Sequence, residues 1–240
     1  MPSTAMGSRR GILDYRSVQL TDDGPAGGTN GARIALDAAR TRWLAKHYQG
    51  NADRVATELL ANAIYRELDI LVPEAGIGTW QGSNGEEWIT CTYPMLEGEI
   101  RRWSEPNATL AEGFVADALL ANWDVIGLEQ DNILWTDHDA PIRIDQGGCL
   151  RFRAQGETKP YGPEVVELER MRIEDGQARG RMAVTEELIA RKAQETTSLL
   201  NADRIQALVS EAPFDDLEMK SEIERNLKAR VEHLSRIAGS

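Results

Sequence analysis

The stretch from Asp124 to Gly148, Asp-Val-Ile-Gly-Leu-Glu-Gln-Asp-Asn-Ile-Leu-Trp-Thr-Asp-His-Asp-Ala-Pro-Ile-Arg-Ile-Asp-Gln-Gly-Gly, constrains the fold more than any other part of the chain. Ile133, Leu134 and Trp135 form a short β-prone run, Asp137 to Ala140 has turn composition, and Pro141 to Ile144 resumes the extended pattern. This predicts an antiparallel hairpin. The residue entering its first strand and the residue leaving its second share one open end, so Asn132 and Asp145 become neighbours. Asp124 reaches them from a loop that ends a helix. An amide oxygen and two carboxylates meeting at one point are what a hard divalent cation and a transferring phosphoryl group require. The plainer alternative is a surface hairpin with polar ends, a common structure.

A chain of 240 residues suits one large domain or two small lobes and is long enough to bury a core. Its 41% apolar and 28% charged content is ordinary for a soluble globular protein. A net charge of -12 without a basic face argues against sequence-independent nucleic-acid binding. No apolar run is long enough to span a bilayer and no signal-like core opens the chain, so a cytoplasmic location is expected. Cys91 and Cys149 form no metal-type pair and read as reduced thiols, and His47, His138 and His233 lack metal-ligand spacing.

In chain order, residues 1–26 are rich in Ser, Gly, Thr and Asp and read as a mobile N-terminal segment. Gly27-Gly28-Thr29-Asn30-Gly31 then forms a glycine-rich turn between strands, followed by Arg33 to Leu36 and by Trp43 to Tyr48. Glycines there let backbone N–H groups approach phosphate oxygens, although a plain flexible loop has the same composition. Lys46 lies inside the second β-prone run, where its ammonium must reach solvent or find an anion. Asn51 caps a predicted helix to about Leu68. On its 3.6-residue period Glu58, Asn62 and Tyr65 share a polar stripe. That stripe either faces solvent or turns Glu58 towards Lys46. Strand-like segments follow at 71–77 and 87–93, and the chain breaks at 94–98.

From Leu110 the pattern becomes helical to about Trp123, with Asn107 as a cap. Residues 147–156 look like a basic, glycine-flanked loop, and Arg151, Arg153 and Lys159 would draw an acidic acceptor or simply be solvated. Helices are predicted over 185–200, 202–210 and 215–237, with Glu222–Arg225 and Glu224–Lys228 as charge pairs. The fold class is α+β, with a small antiparallel-sheet N-lobe carrying one helix (27–98) and a mostly helical C-lobe (99–240).

Five segments in order, the glycine-rich loop, Trp-Leu-Ala-Lys-His-Tyr, Thr-Glu-Leu-Leu-Ala-Asn, the stretch from Asn122 to Leu134 and Ile-Asp-Gln-Gly, resemble the atypical kinases of the phosphatidylinositol 3/4-kinase and HipA-like branch of the protein-kinase-like fold. The last looks like the Ile-Asp-x-Gly form of the kinase metal-binding motif. Residues from about Gly27 to Gly156 carry the resemblance, and Thr57 to Pro73 also looks like the helix-to-Pro stretch of bacterial HipA-like and phage-associated members. It implies a bilobal kinase-like fold in which Lys46 contacts the α- and β-phosphates of ATP and is held by Glu58. Gly28, Asn30 and Gly31 would cover the phosphates, and Tyr93, Met95 and Leu96 would form the adenine hinge. Asp124 would take or position the acceptor hydroxyl proton, while Asn132 and Asp145 would hold Mg2+.

The chain departs from that pattern in two places: its glycine-rich loop is not the regular protein-kinase form, and its Asp-to-Asn spacing is longer. Family members separate the catalytic Asp and metal Asn by about five positions, whereas Asp124 and Asn132 are eight apart. Either the loop holds an insertion around Gly127 or Asp131 takes part of the role given to Asp124. The resemblance implies an ATP- and Mg-dependent phosphotransferase acting on a protein Ser/Thr hydroxyl or a small alcohol. The alternatives are a nucleotide-binding pseudokinase, an assembly or interaction protein without turnover, or a transferase of AMP.

Overall fold

The computed structural model describes residues 11–27, 31–82, 85–100, 107–125, 132–153, 155–177 and 184–239. Its N-terminal half holds strands β1 (Leu13–Asp14), β2 (Thr21–Pro25), β3 (Ala32–Leu36) and β4 (Arg42–Lys46), helix α1 (Ala52–Glu67), and strands β5 (Gly76–Gln81) and β6 (Glu87–Pro94). They form one sheet in the order β1-β5-β6-β4-β3-β2. Every pairing is antiparallel except that of β1 with β5. Residues 11–26, read from composition as a mobile leader, therefore supply both edge strands. Composition missed this because β2 has no alternating apolar face. It is held by backbone pairing to β3 and by an ion pair between Arg33 and Asp22.

Helix α1 begins as expected, with the Asn51 side chain accepting from the Arg54 N–H at 3.0 Å. Every residue from Arg54 to Tyr65 is buried. Val55 and Leu59 join a small apolar cluster with Cys91 and Tyr93 under the sheet, while Leu60, Ala63 and Ile64 join the large core of the C-terminal half. A helix packed between two cores has no solvent face. The stripe of Glu58, Asn62 and Tyr65 is therefore fully buried, which removes the reading that it faces water.

The C-terminal half contains β7 (Glu99–Ile100), α2 (Ala108–Ala111), α3 (Phe114–Leu119), the hairpin β8 (Ile133–Trp135) and β9 (Pro141–Arg143), and helices α4 (Glu167–Gln177), α5 (Glu186–Leu199), α6 (Ala202–Glu211) and α7 (Leu217–Ala238). The predicted hairpin forms and β7 adds to it. The helix expected over 110–123 is interrupted at Gly113. A Cβ there would lie 2.2 Å from Arg143 Nη2, so the glycine admits a buried guanidinium that pairs with Asp117 at 2.6 Å. Sequence patterning does not mark helix α4, because it is mostly charged and, of its described side chains, only Leu168 and Met171 enter the core. Of the two predicted charge pairs, Glu224–Lys228 forms at 2.6 Å. Glu222 instead meets Arg151 at 2.7 Å, because Arg151 is delivered against α7 by the loop it was assigned to.

Arg230 ties the C-terminal half together. Fully buried, it donates to the carbonyls of Ala118 and Leu119 at 2.7 and 2.9 Å, at the C-terminal end of α3, and to Glu164 O at 2.8 Å. Its charge is met by Glu167 at 2.5 Å. Arg230→Ala strands that carboxylate and empties the site, so urea unfolding should show a loss of about 3–5 kcal/mol, the usual cost of breaking a buried pair.

Candidate active site

Strand β4 lies between β3 and β6, with Lys46 opposite Ala32 and Cys91. Leu44 and Lys46 share one strand face, and Leu44 on that face packs into the cluster formed by Val55, Leu59, Cys91 and Tyr93. The ammonium is thus led into the interior, where only an anion can compensate it. It finds two. Lys46 Nζ lies 2.7 Å from Glu58 Oε1 and 2.8 Å from Asp145 Oδ1, the latter 99 residues along the chain. The second Glu58 oxygen accepts from the Tyr48 hydroxyl at 2.5 Å. Burial opposes the Lys46 charge, yet Asp145 and Glu58 outweigh it and hold its pKa well above the ordinary lysine value. The same ammonium lowers the pKa of Asp145. Burial, reinforced by Glu58, pushes the Tyr48 hydroxyl well up, so it stays a donor.

Asp145 follows β9 with φ 57° and ψ 64°, a left-handed conformation uncommon for a residue with a side chain. A single 3-10 turn, Gln146–Gly148, comes next. Gln146 Nε2 donates to Arg143 O at 2.6 Å, and Asn62 Nδ2 reaches Gln146 Oε1 at 3.4 Å. Tyr65 completes the α1 stripe: its hydroxyl donates to Asp117 at 2.8 Å and accepts from Asn122 at 2.9 Å. Each polar residue of the stripe therefore holds a different segment. While Lys46 is 5% exposed and Glu58 not at all, the Asp145 side chain is 42% exposed. It is the member of the triad that a soluble ligand can reach.

Asn132 and Asp145 flank the open end of the hairpin, where Ile144 N donates to Asn132 O at 3.0 Å. Asn132 Nδ2 lies 3.4 Å from the carbonyl oxygen of Asp124, in the 3-10 turn Trp123–Val125. Lys46, Glu58, Asp145, Asn132 and Asp124 thus belong to one connected neighbourhood. Tyr93 is buried, with Lys46 Nζ 5.9 Å from its ring centroid. Met95 N donates to Arg42 O at 2.8 Å, and the side chains of Met95 and Leu96 are exposed. Gly31 opens β3 at φ 66°, where an added Cβ would meet His47 Cε1 at 2.5 Å. Gly28, Asn30 and Asp131 lie outside the described residues.

Three participants were not singled out from the sequence as site residues: Tyr48, Gln146 and, in that place, Lys159. Tyr48 has φ 46° and Gln49 φ 56°. That turn points the tyrosine at Glu58, and nothing in local composition announces it. Composition leaves Lys159 either drawing an acidic acceptor or simply solvated. It is instead 9% exposed and donates to Ala121 O at 2.6 Å and to Gly148 O.

The available donors around Asp145 and Asn132 are oxygens, the set that Mg2+ and Ca2+ take. No group of three or more His, Cys, Asp or Glu side chains suited to a metal occurs among the described residues. The arrangement offers a fixed cation beside an accessible carboxylate, with a second carboxylate-bearing turn alongside.

Two measurements probe this geometry. A Cβ on Gly147 would lie 2.2 Å from the Tyr48 hydroxyl, so Gly147→Ala should destabilise by about 1–3 kcal/mol. Adding Tyr48→Phe removes the clash, and the double variant should be more stable than the sum of the single losses predicts; additive losses would refute the contact. Asp145 has a folded pKa below its ordinary 3.8, so its contribution is present above that value and lost as pH falls through the depressed one. The stability gap between the wild type and Asp145→Asn, followed by urea titration, should therefore be constant above pH 5 or so and shrink in stronger acid.

No family model matches the sequence, and no curated protein matches it. Solved structures do. The proinflammatory kinase CtkA of Helicobacter pylori superposes with a TM-score of 0.59 at 14% identity, covering 95% of this chain and 99% of that one. The amicoumacin kinase hAmiN, solved with AMP-PNP, Ca2+ and Ami, aligns more loosely, with a TM-score of 0.35 at 12% identity over 94% of this chain and 90% of its own. A sheet half with one buried helix, followed by a helical half, matched over 95% of the chain by CtkA, is the bilobal kinase-like fold.

Proposed function

We propose that the chain is an ATP- and Mg-dependent phosphotransferase, an atypical kinase akin to the phosphatidylinositol 3/4-kinase and HipA-like branch, with its lobes meeting near residue 98. The observation that carries this reading is the position of Lys46 Nζ, 2.7 Å from Glu58 on α1 and 2.8 Å from Asp145 after the hairpin. A buried lysine bridging a helix carboxylate and a loop carboxylate serves to place one positive charge against phosphate oxygens.

In this reading Glu58 and the Tyr48 hydroxyl fix Lys46, and Lys46 binds the α- and β-phosphates of ATP. Gly28, Asn30 and Gly31 cover the phosphates, and Tyr93, Met95 and Leu96 border the adenine. Asn132 and Asp145 hold Mg2+, which when bound offsets charge on the phosphate oxygens. Asp124, or Asp131 in part of that role, takes the proton of the acceptor hydroxyl. A bond forms between the hydroxyl oxygen and the γ-phosphorus, the bond from that phosphorus to the β–γ bridging oxygen breaks, and ADP leaves with the electron pair. Little covalent work falls to the protein; alignment and charge neutralisation supply the rate. The acceptor is a protein Ser/Thr or a small alcohol. No helix among the described residues is long and apolar enough to cross a membrane, which is compatible with a cytoplasmic site of action.

The test is label release or transfer from γ-labelled ATP with Mg2+, wild type against Asp145→Ala. A loss of at least about 100-fold in the variant, ~2.7 kcal/mol of transition-state stabilisation, is expected. Equal turnover would remove Asp145 from the role of metal ligand. A melting shift with ATP and Mg2+ but no product would make the protein a nucleotide-binding pseudokinase.

A further inference from the structure

Lys159 is a buried cation of the C-terminal half. It sits at the end of a tight hairpin in which Phe152 pairs with Thr158, Arg153 N donates to Glu157 O at 2.7 Å, and Lys159 N donates to Arg151 O at 2.7 Å. Its side chain turns inward and is nearly buried, yet its ammonium meets no carboxylate at ion-pair distance among the described residues. Both hydrogen bonds end on neutral backbone carbonyls. One is Ala121 O, three residues before Asp124, and the other is Gly148 O, three residues after Asp145.

Burying a cation on neutral groups is an expensive way to hold two loops together. Those loops are already strained: Ala121 has φ 50° and Leu150 φ 53°, and Leu150 N donates to Leu120 O at 2.7 Å. Lys159 closes the same junction from the other side. Burial lowers its pKa, the carboxylates of Asp124 and Glu167 counter that, and Arg153 adds to the lowering. The ammonium is thus within electrostatic reach of Asp124. Lys159 also lines a cavity of about 710 Å3 beside Trp123, the neighbour of Asp124.

We propose that Lys159 is a positioning residue: its ammonium pins the turn carrying Asp124 to the turn carrying Asp145 and so sets the spacing between the acceptor's proton-taking carboxylate and the phosphate-binding end of the site. This rests on the phosphotransferase reading for its catalytic meaning, whereas the pinning itself does not.

The experiment compares wild type, Lys159→Met and Lys159→Arg. Hydrogen exchange tests the tie without reference to chemistry: in Lys159→Met, peptides spanning 119–125 and 146–150 should exchange about 10-fold faster or more, with α5 and α7 unchanged. Unchanged protection there overturns the tie. In turnover of ATP, Lys159→Met should lose about 100-fold in kcat, the scale of an ångström-level misplacement. Its KM for ATP should stay within about twofold, because Lys46 and its partners are untouched. Its melting temperature should be equal to or above that of the wild type, since an apolar side chain replaces a buried charge. Lys159→Arg, which can still donate to both carbonyls, should recover protection and part of kcat. Full turnover in Lys159→Met, or a fall in melting temperature that tracks the fall in kcat, overturns the positioning role. Absence of turnover in the wild type would sink the phosphotransferase reading, while the exchange result would still decide the tie.

Discussion

One fully buried carboxylate, Glu58, is the constraint on which the rest of the structure depends. It sits between two apolar clusters with no access to water, so it is tolerable only if both oxygens are met by strong donors. Lys46 meets one and Tyr48 the other. Those demands reach outward. Lys46 must come from a central strand, Tyr48 must adopt a left-handed turn, and a second N–H of the Lys46 ammonium holds Asp145 from the other half. Polar burial of this kind adds little net stability by itself, because desolvation offsets most of the attraction. What it does is link a central strand, helix α1 and the turn after the hairpin through one ammonium.

The parts of this arrangement readable in the sequence are those that local chemistry decides. Asn51 before an apolar-periodic run names the start of α1, and the β-prone runs around Asp137 to Ala140 name the hairpin, with Asn132 and Asp145 following at its open end. Directions across the core were not readable in the same way. Periodicity put Glu58, Asn62 and Tyr65 on one stripe but could not say that a second core covers it, because the residues forming that core lie far along the chain. Arg151 and Lys159 show the same limit. Charge in a glycine-flanked loop suggests solvation, yet one cation finds Glu222 on α7 and the other two backbone carbonyls. Helix α4 escaped because a mostly charged segment with two core residues carries almost no amphipathic signal.

The same logic of distributed contacts appears at the ends of α1. Asp53 in its first turn accepts from the backbone N–H groups of Asp215 and Asp216 at 2.9 and 3.0 Å, just before α7. Glu67 in its last turn meets Arg204 on α6 at 2.8 Å. Arg66 donates to Gly11 O, and Ile12 N donates to Glu211 at 2.8 Å, so the chain's first described residues are bound to the same group of helices. The helix bearing Glu58 is thus fastened at both ends to the C-terminal half while Val55, Glu58 and Leu59 serve the sheet.

A helix read from three directions at once carries its information as phase. Each residue turns the following ones by ~100° about the axis, so inserting or deleting a single codon between Asn51 and Glu58 would swing the carboxylate, the Asn62 amide and the Tyr65 hydroxyl away from three separate partners together. Point substitutions on this helix can be absorbed one contact at a time, but changes of length cannot. Drift in the length of this chain should therefore collect in exposed turns such as the one at residues 37–41, and leave the count of residues in α1 untouched.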